Sequence, residues 1–96
     1  MIVHVVMFKF KNSTKKEEIL DIKNRLEKLV DKIEPLKSME VGLNFKDSPR
    51  AMDMVLISTF DTKEGLEIYA THPAHLEVVE IIKKLGEYTK VVDYEK

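Results

Sequence analysis

The chain has 96 residues, with sixteen basic and seventeen acidic side chains and a formal net charge of −1. This balance, with only two arginines among the basic residues, argues against a nucleic-acid partner, because phosphate contacts need a basic surface. The absence of cysteine excludes disulfides and thiolate metal sites, and no apolar run approaches the roughly 20 residues of a membrane span, so a cytoplasmic protein without a membrane partner is expected.

The first predicted element is a strand over residues 2–10, where β-branched and aromatic side chains alternate between two faces. One face carries a single histidine among apolar residues: Ile2, His4, Val6, Phe8 and Phe10. The opposite face is apolar as far as Lys9: Val3, Val5 and Met7. A strand that is apolar on both faces needs a cover on both sides.

An amphipathic helix is predicted next. Thr14 and Glu17 fit a capping box at its start, and Pro35 would end it, because a residue that precedes proline is pushed out of the helical region. Between these points apolar residues recur at spacings of three and four, which indicates one buried face: Ile19, Ile22, Leu26, Leu29 and Ile33.

Two further strands are predicted at residues 39–46 and 52–60, joined by a turn at residues 47–50. The first has one apolar and one polar face, which suits a strand near a sheet edge. The second is apolar on both faces, with Met54, Leu56, Ser58 and Phe60 on one and Val55, Ile57 and Thr59 on the other.

A short helix is predicted from Asp61, which can cap it together with Glu64, to about Ala70. A second helical segment would begin at Pro73, because proline suits a first helical position, with His72 as its cap.

The second segment would run to about Leu85, with Gly86 as its stop, and a last strand follows at residues 88–94. The inward residues of this helical segment are predicted to be Leu76, Val79 and Ile82. The resulting order βαββαβ is that of the ferredoxin-like split unit. We therefore expect a single α+β domain over residues 1–96, with a four-stranded antiparallel sheet and helices on one face.

The sheet face without helices is predicted to be apolar, because no further helix is available to cover it. Its members are Val3, Val5, Met7, Val55, Ile57 and Val92. Burying a side chain of this size is worth roughly 1.5–3 kcal/mol, and six together form a larger patch than monomers normally expose. A second copy packed sheet to sheet would cover it; the alternative is that the strands are shorter and the patch is small.

The segment from Tyr69 to His75 concentrates the titratable groups with catalytic potential. At the third position of a helix, His75 should tend to be neutral, because the positive end of the helix dipole disfavours imidazolium. A neutral imidazole can act as a general base, and Tyr69 can donate to a developing oxyanion. The alternative is structural: His75 is satisfied by Tyr69 or by a backbone carbonyl.

Two residues elsewhere could join this segment. His4 faces the predicted helices and could converge with His75, although an isolated strand histidine is more often a satisfied core residue. Asp93, in the last strand, could orient a histidine or point to solvent. A cavity of roughly 300 Å³ or more bounded by His4, Tyr69 and His75 would favour a ligand, whereas a filled one would favour the structural interpretation.

These motifs resemble the stress-responsive A/B barrel domain family, also called the Dabb or dimeric A/B barrel domain. The resemblance covers nearly the whole chain and is strongest in Tyr69, His72-Pro73-Ala74-His75 and Val92-Asp93-Tyr94. It extends to His4, Lys9-Phe10-Lys11, Gly42, Asn44, Ser48-Pro49-Arg50-Ala51, Asp53, Ser58-Thr59-Phe60-Asp61 and Leu66. The resemblance implies a ferredoxin-like fold and a homodimer in which two sheets form an α/β barrel.

The resemblance also implies a candidate site. Most members have no assigned function, but a plant branch that includes olivetolic acid cyclase closes linear polyketides by an aldol-type step without cofactor or metal. Its tyrosine and histidine match Tyr69 and His75, and His4 and His72 match two further pocket histidines. Aliphatic residues replace the aromatic residues that follow the motif in that branch, so a similarly long acyl tail is not expected.

Together these features predict a homodimeric Dabb protein of unassigned activity that binds a small molecule between sheet and helices. The predicted catalytic pair is His75 and Tyr69, and the predicted ligand contacts are His4, His72, Val6, Phe8 and Leu56. Neither a cofactor nor a metal is expected, since no carboxylate stands at helical ligand spacing beside the motif histidines. The alternatives are a cofactor-independent cyclase or lyase acting on a small carbonyl or polyketide-like compound, and a structural dimer without a ligand.

Overall fold

One antiparallel sheet with the strand order β2-β3-β1-β4 forms the frame of the molecule. A computed structural model describes all residues, 1–96. Its strands are β1 (Ile2–Phe10), β2 (Leu36–Leu43), β3 (Met54–Phe60) and β4 (Gly86–Glu95), and its helices are α1 (Lys16–Glu27), α2 (Lys63–Thr71) and α3 (Pro73–Leu85), with a 3₁₀ turn at Lys28–Asp31. This arrangement confirms the predicted ferredoxin-like order, with β2 at an edge. No helix is long and apolar enough to cross a bilayer.

The core lies between the sheet and the helices. The register of β1 against β3 pairs Val6 with Leu56 and Phe8 with Met54, so these alternating side chains face the helices together. The α1 stripe meets them, and Ile22, Leu26 and the following Leu29 and Ile33 are at most 1% exposed. Fifteen buried apolar residues form this one cluster, to which α2 contributes Tyr69 and α3 contributes Val78.

The start of α1 differs from the predicted capping box. The cap is Lys15, whose backbone N–H donates to Glu18 Oε1 at 2.9 Å. The Thr14 hydroxyl instead donates to the carbonyl of Leu85 at 3.0 Å, where the chain leaves α3. The predicted box was therefore displaced by one residue, because a tertiary contact occupies the Thr14 side chain.

The end of α1 also differs, because the α-helix stops at Glu27 and tightens into the 3₁₀ turn. Such tightening is common at helix C-termini. Leu29 and Ile33 stay buried nonetheless, so the apolar stripe was correct although the helix was predicted too long.

The strand β2 begins and ends three residues earlier than predicted. Leu43 pairs with Met54, the first residue of β3, so residues 44–46 have no strand to pair with. A register shift between Leu36 and Ser38 brings Leu36 into the core, where it is 3% exposed. Phe45 lies beyond the strand and is 98% exposed.

The helical segments around the histidine motif follow the prediction with small corrections. The cap of α2 is Thr62, whose hydroxyl accepts from the Gly65 N–H at 3.1 Å, and not Asp61. In α3 the buried residue is Val78, whereas the predicted Leu76 is 45% exposed. Helix α3 ends at Leu85 as predicted, and β4 starts at Gly86 without a loop.

The sheet face without helices carries the six predicted apolar residues. Val5 lies between Ile57 of β3 and Val92 of β4 in the register, which forms an apolar row across the sheet. Val92 is 57% exposed, whereas Val3 is buried although it is outside the core cluster. The exposed part of this face is therefore centred on β1 and β4. It is smaller than predicted, because Val3 is buried.

Candidate functional site

Tyr69 stands at the centre of the candidate site. It points from α2 into the core and is 1% exposed, with its ring centroid 4.2 Å from that of His75 and 6.2 Å from that of His4. The ring of Phe60 packs against it at 5.3 Å. The structure thus brings together three of the predicted site residues, from β1, α2 and α3.

The Tyr69 hydroxyl is the one buried side-chain polar atom without a hydrogen-bond partner. Burial raises the pKa of this phenol well above its ordinary value, because the charged phenolate is poorly solvated there. The hydroxyl therefore remains protonated, and it has an O–H available to donate.

His75 lies at the third position of α3, where its Nδ1 is 3.1 Å from the carbonyl oxygen of Ala70. A carbonyl can only accept, so Nδ1–H donates and Nε2 of the neutral ring carries a free lone pair. Burial lowers the pKa of His75; the hydrogen bond to Ala70 opposes this effect, and the nearby His4 and His72 add to it. The imidazole is therefore neutral near pH 7.

His4 is held by Asp93, its register partner on β4. Nδ1 of His4 contacts Oδ1 of Asp93, and the two side chains are 17% and 47% exposed. An ionised carboxylate can only accept, so Nδ1–H donates and Nε2 of a neutral His4 is unprotonated. Of the two alternatives for Asp93, the structure shows the one in which it orients a histidine.

His72 acts as the cap of α3, as predicted. Its Nδ1 accepts from the backbone N–H of Ala74 at 3.0 Å. This bond satisfies an otherwise free donor in the first turn of the helix. A direct contact of His72 with a ligand stays a prediction.

The predicted apolar ligand contacts, Val6, Phe8 and Leu56, are packed in the core and at most 8% exposed. Five principal cavities have volumes between about 340 and 540 Å³, and none is lined by these residues or by His4, Tyr69 and His75. None of these five cavities therefore lies among the side chains of the candidate site, and the role of the three apolar residues stays a prediction. No three histidine or carboxylate side chains are arranged to hold a metal ion.

The fold agrees with the comparisons to known proteins. The chain matches the family described as the Stress responsive A/B Barrel Domain over residues 2–96. It belongs to this family. Among the relatives of this A/B barrel domain is the stress-response A/B barrel domain-containing protein HS1 from Arabidopsis thaliana, 30% identical over 93 residues, which are 95% of this chain and 85% of the relative.

Solved structures of similar proteins share the same fold as this A/B barrel domain. A dimeric protein of unknown function with a ferredoxin-like fold from Bacteroides fragilis is 32% identical, with a TM-score of 0.82 and coverage of 99% of this chain and 95% of that one. A hydroxynitrile lyase from Passiflora edulis has a TM-score of 0.86 over 97% of this chain and 90% of that one, at 18% identity. The second likeness concerns the fold alone.

Proposed function

We propose that this A/B barrel domain binds a small molecule with an acceptor oxygen, such as a carbonyl compound, at the Tyr69 hydroxyl. The observation that carries the proposal is the missing hydrogen-bond partner of that hydroxyl. Leaving a buried donor unsatisfied costs about 1–3 kcal/mol, and such groups are rare in native proteins unless they have a role. A bound carbonyl oxygen would supply the missing acceptor.

The ligand is expected to enter from the side on which the histidine rings are exposed to solvent. Tyr69 is sealed from solvent, whereas His75 and His4 are only half-buried or partly exposed. Because the rings are in close contact, a histidine has to turn when the ligand binds. This requirement favours a compact ligand over a long-tailed one.

We also propose that two copies form a dimer through the sheet face without helices. The apolar row of Ile57, Val5 and Val92 supports this proposal, because an apolar face of this kind is normally buried against a partner. The similar Bacteroides fragilis protein is dimeric. In such a dimer the candidate sites would lie on the outer side of each sheet, away from the contact.

A second candidate function is cofactor-independent proton abstraction, as a cyclase or lyase would need. It is favoured by the bare Nε2 of a neutral His75 beside a hydroxyl donor. His75 would take a proton from the carbon next to a carbonyl, and the electrons of that C–H bond would form the enolate. Tyr69 would donate its O–H hydrogen bond to the enolate oxygen, where the negative charge develops.

Binding is tested with acetophenone, a compact neutral ketone, by chemical-shift titration and thermal shift. We expect binding near Tyr69 that the Tyr69→Phe variant loses, while this variant is as stable as the wild type or more stable by about 1 kcal/mol, because an unsatisfied group is removed. Tyr88→Phe is the matched control, since Tyr88 is 46% exposed on β4. Unchanged binding in the Tyr69→Phe variant would contradict the proposal.

Proton abstraction is tested separately, by following deuterium exchange of the acetophenone methyl group in D₂O by proton NMR. We expect the exchange to be faster than in buffer, and His75→Gln to slow the catalysed exchange by about 100-fold or more, the usual contribution of a general base. Intact binding without any catalysed exchange would contradict proton abstraction and support only the binding function.

A further inference from the structure

A cavity of about 370 Å³ opens between α2 and the end of β4. Its apolar lining comes from Ile2, Leu66 and Tyr94. Its polar lining comes from Lys63, Glu67, Asp93 and Glu95. The volume falls in the range of roughly 300–1,000 Å³ of small-molecule sites, which combine apolar walls with a few polar groups.

Asp93 connects this cavity with the candidate site. It lines the cavity and also accepts the hydrogen bond from His4, whose ring lies edge-on to that of Tyr69. About half of the Asp93 side chain is exposed, so a molecule in the cavity can reach the carboxylate directly. A ligand that displaces Asp93 from His4 would free that ring to turn.

The charges around the cavity are mostly negative. Three carboxylates face one ammonium group, and the ammonium of Lys63 is 3.9 Å from Glu95, on an exposed surface. Glu67 has no ion pair, and the carboxylate of Asp93 contacts His4 Nδ1 while about half of the Asp93 side chain is exposed to the cavity side. A negatively charged ligand in the cavity would therefore be repelled, whereas an uncharged or positively charged ligand would not.

We infer that this cavity is the entrance to the site formed by His4, Tyr69 and His75, and that it admits uncharged or cationic ligands and disfavours organic anions. The inference rests on the proposed small-molecule function. Because the carboxylates are solvated, the discrimination is modest: about tenfold against a carboxylate ligand at low ionic strength, decreasing with added salt.

The test uses three probes of nearly the same shape that differ in charge: benzamide, benzamidine and benzoate. Chemical-shift titration of the full chain gives a Kd for each. We expect benzamide and benzamidine to shift the amides of Leu66, Asp93 and Tyr94, and benzoate to bind about tenfold more weakly than benzamide. High salt should reduce this difference.

Glu67→Gln removes one of the repelling charges without changing the size of the side chain, and we expect it to improve benzoate binding several-fold more than it changes benzamide binding. Asp93→Asn should act in the same direction, since its amide oxygen can still accept from His4. The matched control is Glu64→Gln, which removes the same charge from α2 at a residue that does not line the cavity.

Benzoate binding as tight as benzamide binding, or no binding of any of the three probes, would overturn the inference. Tyr69→Phe separates this failure from that of the proposed function. Binding that ignores charge but is weakened by Tyr69→Phe contradicts only the charge-selecting entrance. Binding that depends on charge but is unaffected by Tyr69→Phe contradicts the proposed function, and with it the connection between cavity and site.

Discussion

The neutral state of His75 has a consequence for stability at low pH. Because burial lowers the pKa of His75 below its ordinary 6.5, the unfolded chain takes up this proton at a higher pH than the folded chain does. The contribution of His75 to stability is therefore complete above about pH 6.5, and is lost as the pH falls through the lower pKa of the folded state.

The His75→Gln variant tests this consequence, because its amide can still donate to the Ala70 carbonyl but cannot be protonated. We expect the free energy of unfolding of the wild type to fall more steeply below pH 6.5 than that of the variant, when both are measured by urea denaturation at a series of pH values. His4 and His72 are present in both proteins and so cancel in the comparison. A difference between the two proteins that does not change with pH would show that His75 is not buried in its neutral form.

At this scale the sequence predicted the meeting of His4, Tyr69 and His75, because a helix motif and an inward strand position left few other places for them. It did not decide the role of Asp93. That contact depends on the register between β1 and β4, which places Asp93 directly opposite His4, and two strands distant in sequence do not reveal their register locally. The packing of the site, with none of the principal cavities lying among the three rings, was also beyond the sequence pattern.

The boundary between α3 and β4 was predicted at the correct residue, but the physical reason for the glycine there is a different one. Gly86 was predicted as the stop of α3; glycine often ends a helix in a left-handed conformation, but here its φ is −80°. A Cβ atom at Gly86 would lie 2.7 Å from the carbonyl oxygen of Ile82. The glycine is needed because the chain turns from helix to strand against its own backbone.

We therefore expect Gly86→Ala to lower the free energy of unfolding by about 1–3 kcal/mol, the usual cost of forcing an additional carbon into a tight contact. Gly42→Ala is the control, because its Cβ would meet Val55 Cγ1 at an ordinary 3.4 Å. Chemical denaturation of both variants measures the difference. Equal stability of Gly86→Ala and the wild type would show that the junction relaxes without strain.

Other boundaries were missed because they depend on partners outside the element. The alternation at residues 39–46 continues through Phe45, but a strand ends where its neighbour ends, and β3 begins at Met54. The capping signal of Thr14 was likewise overridden by its hydrogen bond to Leu85. Local pattern fixed the type and order of each element, and long-range contacts fixed its limits.

At the scale of the whole molecule, the proposed dimer is tested by a pair of neighbouring residues on β4. Val92 belongs to the sheet face without helices and Val91 to the opposite face, and they are 57% and 51% exposed in the single chain. We expect Val92→Glu to weaken the dimer by at least about 100-fold, because it buries an unpaired charge at the contact. Val91→Glu should leave the dimer intact.

Sedimentation velocity over a range of protein concentrations distinguishes the two variants, and circular dichroism confirms that both are folded. A wild-type chain that stays monomeric at micromolar concentration, or two variants that dissociate equally, would contradict the sheet-to-sheet arrangement. The family and the fold were predictable at this scale because they rest on element order and on motifs spread over the entire chain.

Alternate residues of β1 serve the two faces of the sheet, so this strand does not tolerate the insertion or deletion of a residue. His4 belongs to the candidate site, and its neighbours Val3 and Val5 belong to the opposite face. Inserting a single amino acid before His4 would move each later residue of the strand to the opposite face, turning the imidazole toward the face without helices and Val5 toward the helices. Natural variants of this protein should therefore gain or lose residues in the loops and almost never within this strand.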